Sequence, residues 1–416
     1  MIPLRLPALL LVVAASGGSA TAGSQERPVV VRAARMLDVA AGRIVPDAVV
    51  VVQGGRITAI GGASPAGAET IDLGDVTLMP GLIDMHTHLT IDIEGNWVLR
   101  AVQTTAADDA LRGARNARRT LEAGFTTIRE AGSSGFVDVA LMRAIDAGMI
   151  PGPRIIPAGH SIGITGGHCD ATGFAPGLLE GDWRSGVADG VDDVLRATRH
   201  QIKHGAKVIK LCATAGVLSF EESVGAQQMT EAEMHAAVEE AARHGMKVMA
   251  HAHGTEGIKA AIRAGVASIE HGSLLDDEAI EMFKARGVWL VPTEHLADAI
   301  ALDALPAPIR AKAESVLPRM RASHRRAIAA GVKVALGSDA GVYPHGQNGQ
   351  EVVVYTRLGM TPIEAIRAAT TSAAELLGVE DRGTIAVGRL ADLIAVPGNP
   401  LQDITAMGRV QFVMKD

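Results

Sequence analysis

Through the middle of the chain two patterns take turns. Short apolar runs rich in Val, Ile and Leu are followed by Ala-rich stretches in which apolar positions recur every three or four residues. The first pattern predicts buried strands and the second amphipathic helices. Strands are expected at LMPGLIDMHTH, GFTTIRE, PRIIPA, AKVIKLCA, MKVMAHAH, ASIEHG, VWLVPT and VKVALGSDA, with helices between them, as at 231–244 and 256–264. Gly124, Gly205, Gly245, Gly265, Gly287 and Gly331 stand where helices should stop, since glycine accepts the positive φ of a helix C-terminus. Eight strands alternating with helices predict a (β/α)8 barrel of the TIM type, in the α/β class. An open doubly wound sheet is the alternative, but no Gly-rich phosphate turn follows the first strand.

Both ends of the chain read differently. VVVRAARMLDV and DAVVVVQGGRITAIG near the start, and GTIAVGRLADLIAV and RVQFVMK near the end, are β-branched runs broken by glycine turns. The simplest organisation pairs them into one small β-sandwich, 23–79 with 380–416, around an inserted barrel, 80–379. Residues 1–22 read as a signal peptide: Arg5, an apolar run from Leu6 to Ala15, and a small-x-small site at Ala20-Thr21-Ala22. That run is too short for a transmembrane anchor, and no later segment is apolar enough to span. The mature protein is therefore expected to be exported, to a periplasm or beyond.

Composition narrows the function. With 39 Lys and Arg against 46 Asp and Glu the formal charge is −7, which argues against nucleic acid as a partner. Aromatic residues are only 3%, so the core must be aliphatic. Cys169 and Cys212 are the only cysteines, too few for a disulfide framework, and two free buried thiols are expected.

Chemistry concentrates at the C-terminal ends of the predicted strands, where barrel enzymes place their sites. His86 and His88 in DMHTH share one face of a strand, as do His251 and His253 in MAHAH. Two imidazoles on one face make half a site for a divalent metal, or a pair of satisfied core histidines. Lys210 lies among apolar strand residues in AKVIKLCA. It is either paired to a carboxylate or converted by CO2 to an anionic carbamate. His271 in IEHG and Asp339 in GSDA end two further strands. Imidazoles, a lysine and a carboxylate converging on one rim suit a two-metal hydrolytic centre. His168, His253, His295, Tyr343 and His345 are candidate substrate-binding residues, with Ser161 and His160 ranked lower. His200, His204, His235, His244 and His324 are read as surface or helix-end residues. A serine nucleophile is set aside because GSD lacks the G-x-S-x-G elbow, and Cys212 as nucleophile lacks a base free of metal duties.

The order H-x-H, strand Lys, His, His, Asp resembles the signature of the amidohydrolase superfamily. PGLIDMHTHL, ITGGHCD, VIKLCATAGV, VGAQQMT, AHAHG, IEHGSLLDDE, GSDAGVYPHG and ATTSAAELLG resemble its exported branch related to imidazolonepropionase. That branch contains Xaa-Pro dipeptidases, carboxypeptidases releasing Arg or Lys, and ochratoxin-type amidases. The resemblance implies two divalent metal ions, with Zn2+ first and Co or Mn as alternatives. His86, His88 and Asp339 would hold one and His251 and His271 the other, with carbamylated Lys210 bridging them. Asp339 would take a proton from the attacking water and pass it to the leaving amine. The implied reaction is hydrolysis of the amide before a C-terminal amino acid in a small peptide, Xaa-Pro favoured, or in an N-acyl amino acid, by a homo-oligomer. Glu130 and Glu294 are candidates to read a basic side chain. Cyclic-amide hydrolysis ranks lower, because Gly254 follows His253 where an acid is expected and Lys210 is present. A non-catalytic metal-binding protein would need neither a general base nor substrate loops. Two departures stand out. Arg129-Glu130-Ala131-Gly132 replaces the usual Arg-Asp or Arg-Asn, and the chain ends at Asp416 where relatives add a strand, so an exposed sheet edge is expected.

Overall fold

The computed structural model describes residues 10–13, 27–93, 95–221 and 223–416. The expected cleavage site at Ala20-Thr21-Ala22 lies outside the described residues, as does the leader apart from 10–13. In chain order the first strands are β1 (Leu10–Val13), β2 (Val29–Asp38), β3 (Arg43–Gln53), β4 (Arg56–Ile60), β5 (Glu69–Asp72) and β6 (Val76–Pro80). Next come β7 (Leu82–Thr87), β8 (Phe125–Glu130), β9 (Arg154–Ile156), β10 (Ile209–Cys212), β11 (Val248–Ala252), β12 (Ser268–His271) and β13 (Trp289–Val291). The last are β14 (Leu393–Pro397) and β15 (Phe412–Lys415).

The two ends of the chain meet in one eight-stranded sheet, ordered β1-β15-β14-β6-β2-β3-β4 with β5 on β2. Its strands alternate between two apolar environments. Leu78, Leu393, Ala395 and Phe412 enter one core, whereas Met79, Ile394, Val396 and Val413 enter the larger core of the middle segment. Burial on both faces explains why β6 and β14 read as unbroken apolar runs, whereas β4 and β5 at the margin are largely exposed. The edge expected to be exposed at β15 is instead paired with β1, Leu10 opposite Phe412.

The middle segment carries two parallel sheets, β7-β8-β9 and β10-β11-β12-β13. Helices follow the strands, including Ala106–Glu122, Gly190–His204, Glu231–Arg243, Thr255–Ala264 and Ala307–Ala329. The helix Glu231–Arg243 starts at a capping box, Thr230 with Glu233. The helices before Gly205 and Gly265 end on those glycines at φ 110° and 97°. Parallel bridges join Ile162 to Leu211, Leu290 to Val334 and Thr87 to Ala340. The strand expected at VKVALGSDA is thus not a regular strand. It lies beside β13 and β7 through such bridges, and its ladder breaks where Ser338 and Asp339 both donate their N–H to the His86 carbonyl, at 3.0 and 2.7 Å.

The cysteines are a second correction. Cys169 and Cys212 form a disulfide with Cα atoms 6.0 Å apart, and neither is a free thiol. They lie 43 residues apart, and nothing in that spacing marks a pair. No helix among the described residues is long and apolar enough to cross a membrane.

Candidate metal centre

Strand alternation carries His86 and His251 inward from β7 and β11, and His88 and His253 follow two residues on. Three other strand ends use backbone that non-glycine residues seldom adopt. His271, Thr293 and Asp339 have φ of 69°, 51° and 57°. In a regular strand Glu270 and His271 would face opposite sides; the left-handed turn at His271 lets both reach the site. Such conformations cost about 1–3 kcal/mol each and persist where the surroundings hold them. Here Asp339 N–H is bonded to the His86 carbonyl, and Thr293 Oγ1 lies 2.8 Å from His271 Nδ1.

Two donor groups result. His86, His88 and Asp339 each offer an atom within 4.8 Å of the others, as do His251, His253 and His271. His86 Nε2 and His88 Nε2 are each 3.5 Å from Asp339 Oδ1. The opposite ring nitrogens are already engaged. His86 Nδ1 donates to Glu270 at 2.8 Å and His88 Nδ1 to the Gly132 carbonyl at 2.9 Å. His253 Nδ1 is 2.7 Å from Ser273 Oγ. The carboxylate and carbonyl acceptors fix the tautomers of His86 and His88 and leave their Nε2 for a ligand. Burial, reinforced by nearby positive groups, holds His86, His251 and His271 well below the usual imidazole range, His88 at about 4 and His253 at about 3. All five are therefore neutral at pH 7, as metal ligands must be. His251 Nε2 is buried without a hydrogen-bond partner among the described residues, which a polar atom seldom tolerates unless something binds it. On these grounds the donor set fits divalent metal.

Lys210 is buried on β10. Burial pulls its ammonium down to about 8, opposed by the Glu270 and Asp339 carboxylates. Asp339 is pushed up to about 7, chiefly by burial. Behind the ligands lies a layer that sequence reading missed. Buried Arg129 donates to the Met85 carbonyl at 2.7 Å, to Ser268 Oγ at 3.1 Å and to Glu270 at 2.8 Å, and Glu270 in turn holds His86. Asp84 accepts from the N–H of Ser338 at 3.0 Å and from Asn348 Nδ2 at 2.9 Å. Alternation offered one signal, since Ser268 and Glu270 occupy i and i+2 of β12.

The expected substrate residues fall in different places. His168 stacks on His251, ring centroids 4.1 Å apart. His295 and Tyr343 lie edge to face, ring centroids 5.0 Å apart. His345 has both nitrogens engaged, with Thr120 Oγ1 at 2.9 Å and the His88 carbonyl at 3.0 Å, so it braces His88. Ser161 Oγ donates to the Ala131 carbonyl and His160 Nε2 accepts from Gly135 N–H. Glu294 is tied to Arg321 at 2.8 Å, and Glu130 accepts from Leu89 N–H. His324 is a correction: it is fully buried, 2.6 Å from both Glu294 Oε2 and the carbonyl of His271. It supports the turn that bears His271, from a helix whose periodicity gave no hint of that contact. His235 and His244 are exposed and His200 and His204 half-buried.

Residues 77–416 match the model of the Amidohydrolase family. The crystal structure of an Xaa-Pro dipeptidase with methionine bound in its active site superposes with a TM-score of 0.90 at 38% identity, covering 93% of this chain and 98% of that one. A prolidase complexed with N-methylphosphonate-L-proline superposes with a TM-score of 0.85 at 34% identity, covering 93% and 98%. The ochratoxinase of Aspergillus niger is 37% identical over 347 residues, 79% of this chain and 71% of that protein.

Proposed function

The chain belongs to the amidohydrolase family and is a hydrolase of carbon–nitrogen bonds, and from that premise we propose an exported two-metal peptidase that cleaves the amide before a C-terminal amino acid. Xaa-Pro dipeptides are its first expected substrates. The observation that carries this reading is the pair of three-donor groups, one of which contains Asp339, with buried Lys210 in electrostatic reach of Asp339 and Glu270. We read the bridged parallel sheets as one closed (β/α)8 barrel, 80–379, and the terminal sheet as a second domain, 23–79 with 380–416. The bridges at Ile162–Leu211, Leu290–Val334 and Thr87–Ala340 support that closure.

In this reading His86, His88 and Asp339 would hold one ion and His251 and His271 the other, leaving His253, the third donor of the second group, to the substrate. Divalent ions, zinc first, would acidify a water and polarise the scissile carbonyl. A pKa of about 8 leaves part of Lys210 as the free amine, which adds to CO2 and releases a proton to give a carbamate. That change replaces a buried cation by one negative charge shared over two oxygens. Asp339 would accept the water's proton and return it to the leaving nitrogen. His168, His253, His295 and Tyr343 are the proposed substrate contacts. Export is supported by the Leu6–Ala15 run with Ala20-Thr21-Ala22, and by a disulfide of the kind that persists in oxidising compartments.

An N-acyl-amino-acid amidase is the second reading, favoured by the likeness to ochratoxinase. Zinc-loaded enzyme assayed on Xaa-Pro, Xaa-Arg, Xaa-Lys and N-acyl-Phe separates the two. Fastest turnover of Xaa-Pro supports the first reading, and N-acyl-Phe cleaved in preference to every dipeptide overturns it.

A further inference from the structure

The Cys169–Cys212 disulfide has no part in the chemistry above, yet it lies against the site. Cys212 is fully buried at the end of β10, two residues beyond Lys210 and opposite His251 in the parallel register. Cys169 follows His168 in a turn that contains Gly163, Gly166 and Gly167. The bond therefore bolts a glycine-rich turn onto a strand that carries a proposed ligand.

His168 is the residue this placement controls. Its ring is stacked on His251 at 4.1 Å and 25°. Its N–H donates to Gln228 Oε1 at 2.9 Å, and its Nδ1 lies 2.8 Å from Ser219 Oγ. That arrangement leaves Nε2 for a ligand. The fit is close on every side. A Cβ at Gly216 would come within 2.2 Å of the His168 ring, and one at Gly163 within 3.1 and 3.4 Å of the two cysteine Cβ atoms. The Ser219 segment is itself held by Lys312, whose Nζ donates to the carbonyls of Gly216, Ser219 and Glu221 at 3.0, 2.6 and 2.9 Å. A ring stack alone is a weak restraint, and glycines give the turn many other conformations. The covalent link is what restricts it.

We propose that Cys169–Cys212 is a positioning disulfide, which holds His168 on the His251 ring so that Nε2 faces the substrate. The proposal rests on the peptidase reading for its kinetic consequence, though not for its structural one. The full chain, zinc-loaded, is compared with Cys169→Ser on the best substrate of the wild type. The variant keeps the wild-type metal content, raises KM about tenfold and changes kcat less than about threefold. His168→Ala raises KM equally, and the two changes together add nothing further. A disulfide that only stapled the fold would lower Tm and the active fraction, so kcat would fall at constant KM; that result overturns the proposal, as does independent addition with His168→Ala. Should Cys169→Ser fail to fold, Cys169→Ala combined with Cys212→Ala breaks the bond without leaving an unpaired thiol. Amide hydrogen exchange of residues 163–172 needs no substrate. It rises in the variant, and unchanged exchange overturns the proposal even if the wild type cleaves none of the assayed amides, an outcome that would instead sink the peptidase reading.

Discussion

Glu270 shows how much of the site lies behind its ligands. It is the anion that pairs buried Arg129 and the acceptor that orients His86, so its loss exposes two groups at once. Glu270→Gln should weaken zinc binding about 10–100-fold, as expected when a ligand loses its orienting partner. Competition against a chelator measures this, and unchanged affinity would remove Glu270 from the account. Asp339→Asn keeps an oxygen for the metal but loses the proton acceptor. Turnover should drop about 10²–10⁴-fold while the fold persists, and activity within tenfold of wild type would assign the proton to another group. The pairs His86/His88 and His251/His253 were legible as candidate donors because strand alternation puts i and i+2 on one face. Glu270 was not, because it precedes a ligand directly, and only the unusual φ of His271 brings the two together. His324 was hidden for a related reason: a polar residue on a helix looks solvated until the turn it supports is known.

Among the elements, regular ones were readable and irregular ones were not. The helices announced themselves by period, by the Thr230–Glu233 box and by terminal glycines. The segment at VKVALGSDA read as a strand by composition, but the Ser338 N–H is shared between Asp84 and the His86 carbonyl, which also takes the Asp339 N–H, and this replaces a ladder with a turn that aims Asp339. Close backbone approach is the other invisible feature. A Cβ on Gly254 would lie 1.9 Å from the Gly225 carbonyl oxygen. Gly254→Ala should therefore destabilise the protein by about 1–3 kcal/mol, as overpacking does. It should also cut activity, because the displaced backbone adjoins His253. Thermal melts with parallel assays would show it, and a wild-type Tm would mean that this contact gives way freely.

For the molecule as a whole, the neutral histidines set the pH response of the metal-free protein. His88 and His345 titrate at about 4, and His168 and His253 at about 3, below the usual 6.5. Their contribution is complete above 6.5 and is lost as pH falls through those lower values. Asp84, raised to about 6, and Asp339, raised to about 7, act oppositely: their contribution is present below about 3.8 and is lost as pH rises through 6 to 7. The histidines are more numerous, so Tm by calorimetry should fall steadily from pH 6.5 to 3, and a flat profile would contradict their neutrality. Export has its own test. Secreted material should begin near Gly23, and cleavage there would part β1 from β15; an intact Met1 on soluble cytosolic protein would count against it. The central claim is the two-metal centre bridged through Lys210, and metal analysis tests it most directly. After reconstitution with zinc and bicarbonate, the wild type should hold about two ions per chain. Lys210→Ala should hold one or none, with nearly all turnover lost and some regained on adding small carboxylic acids. Two ions and wild-type turnover in Lys210→Ala would contradict the account.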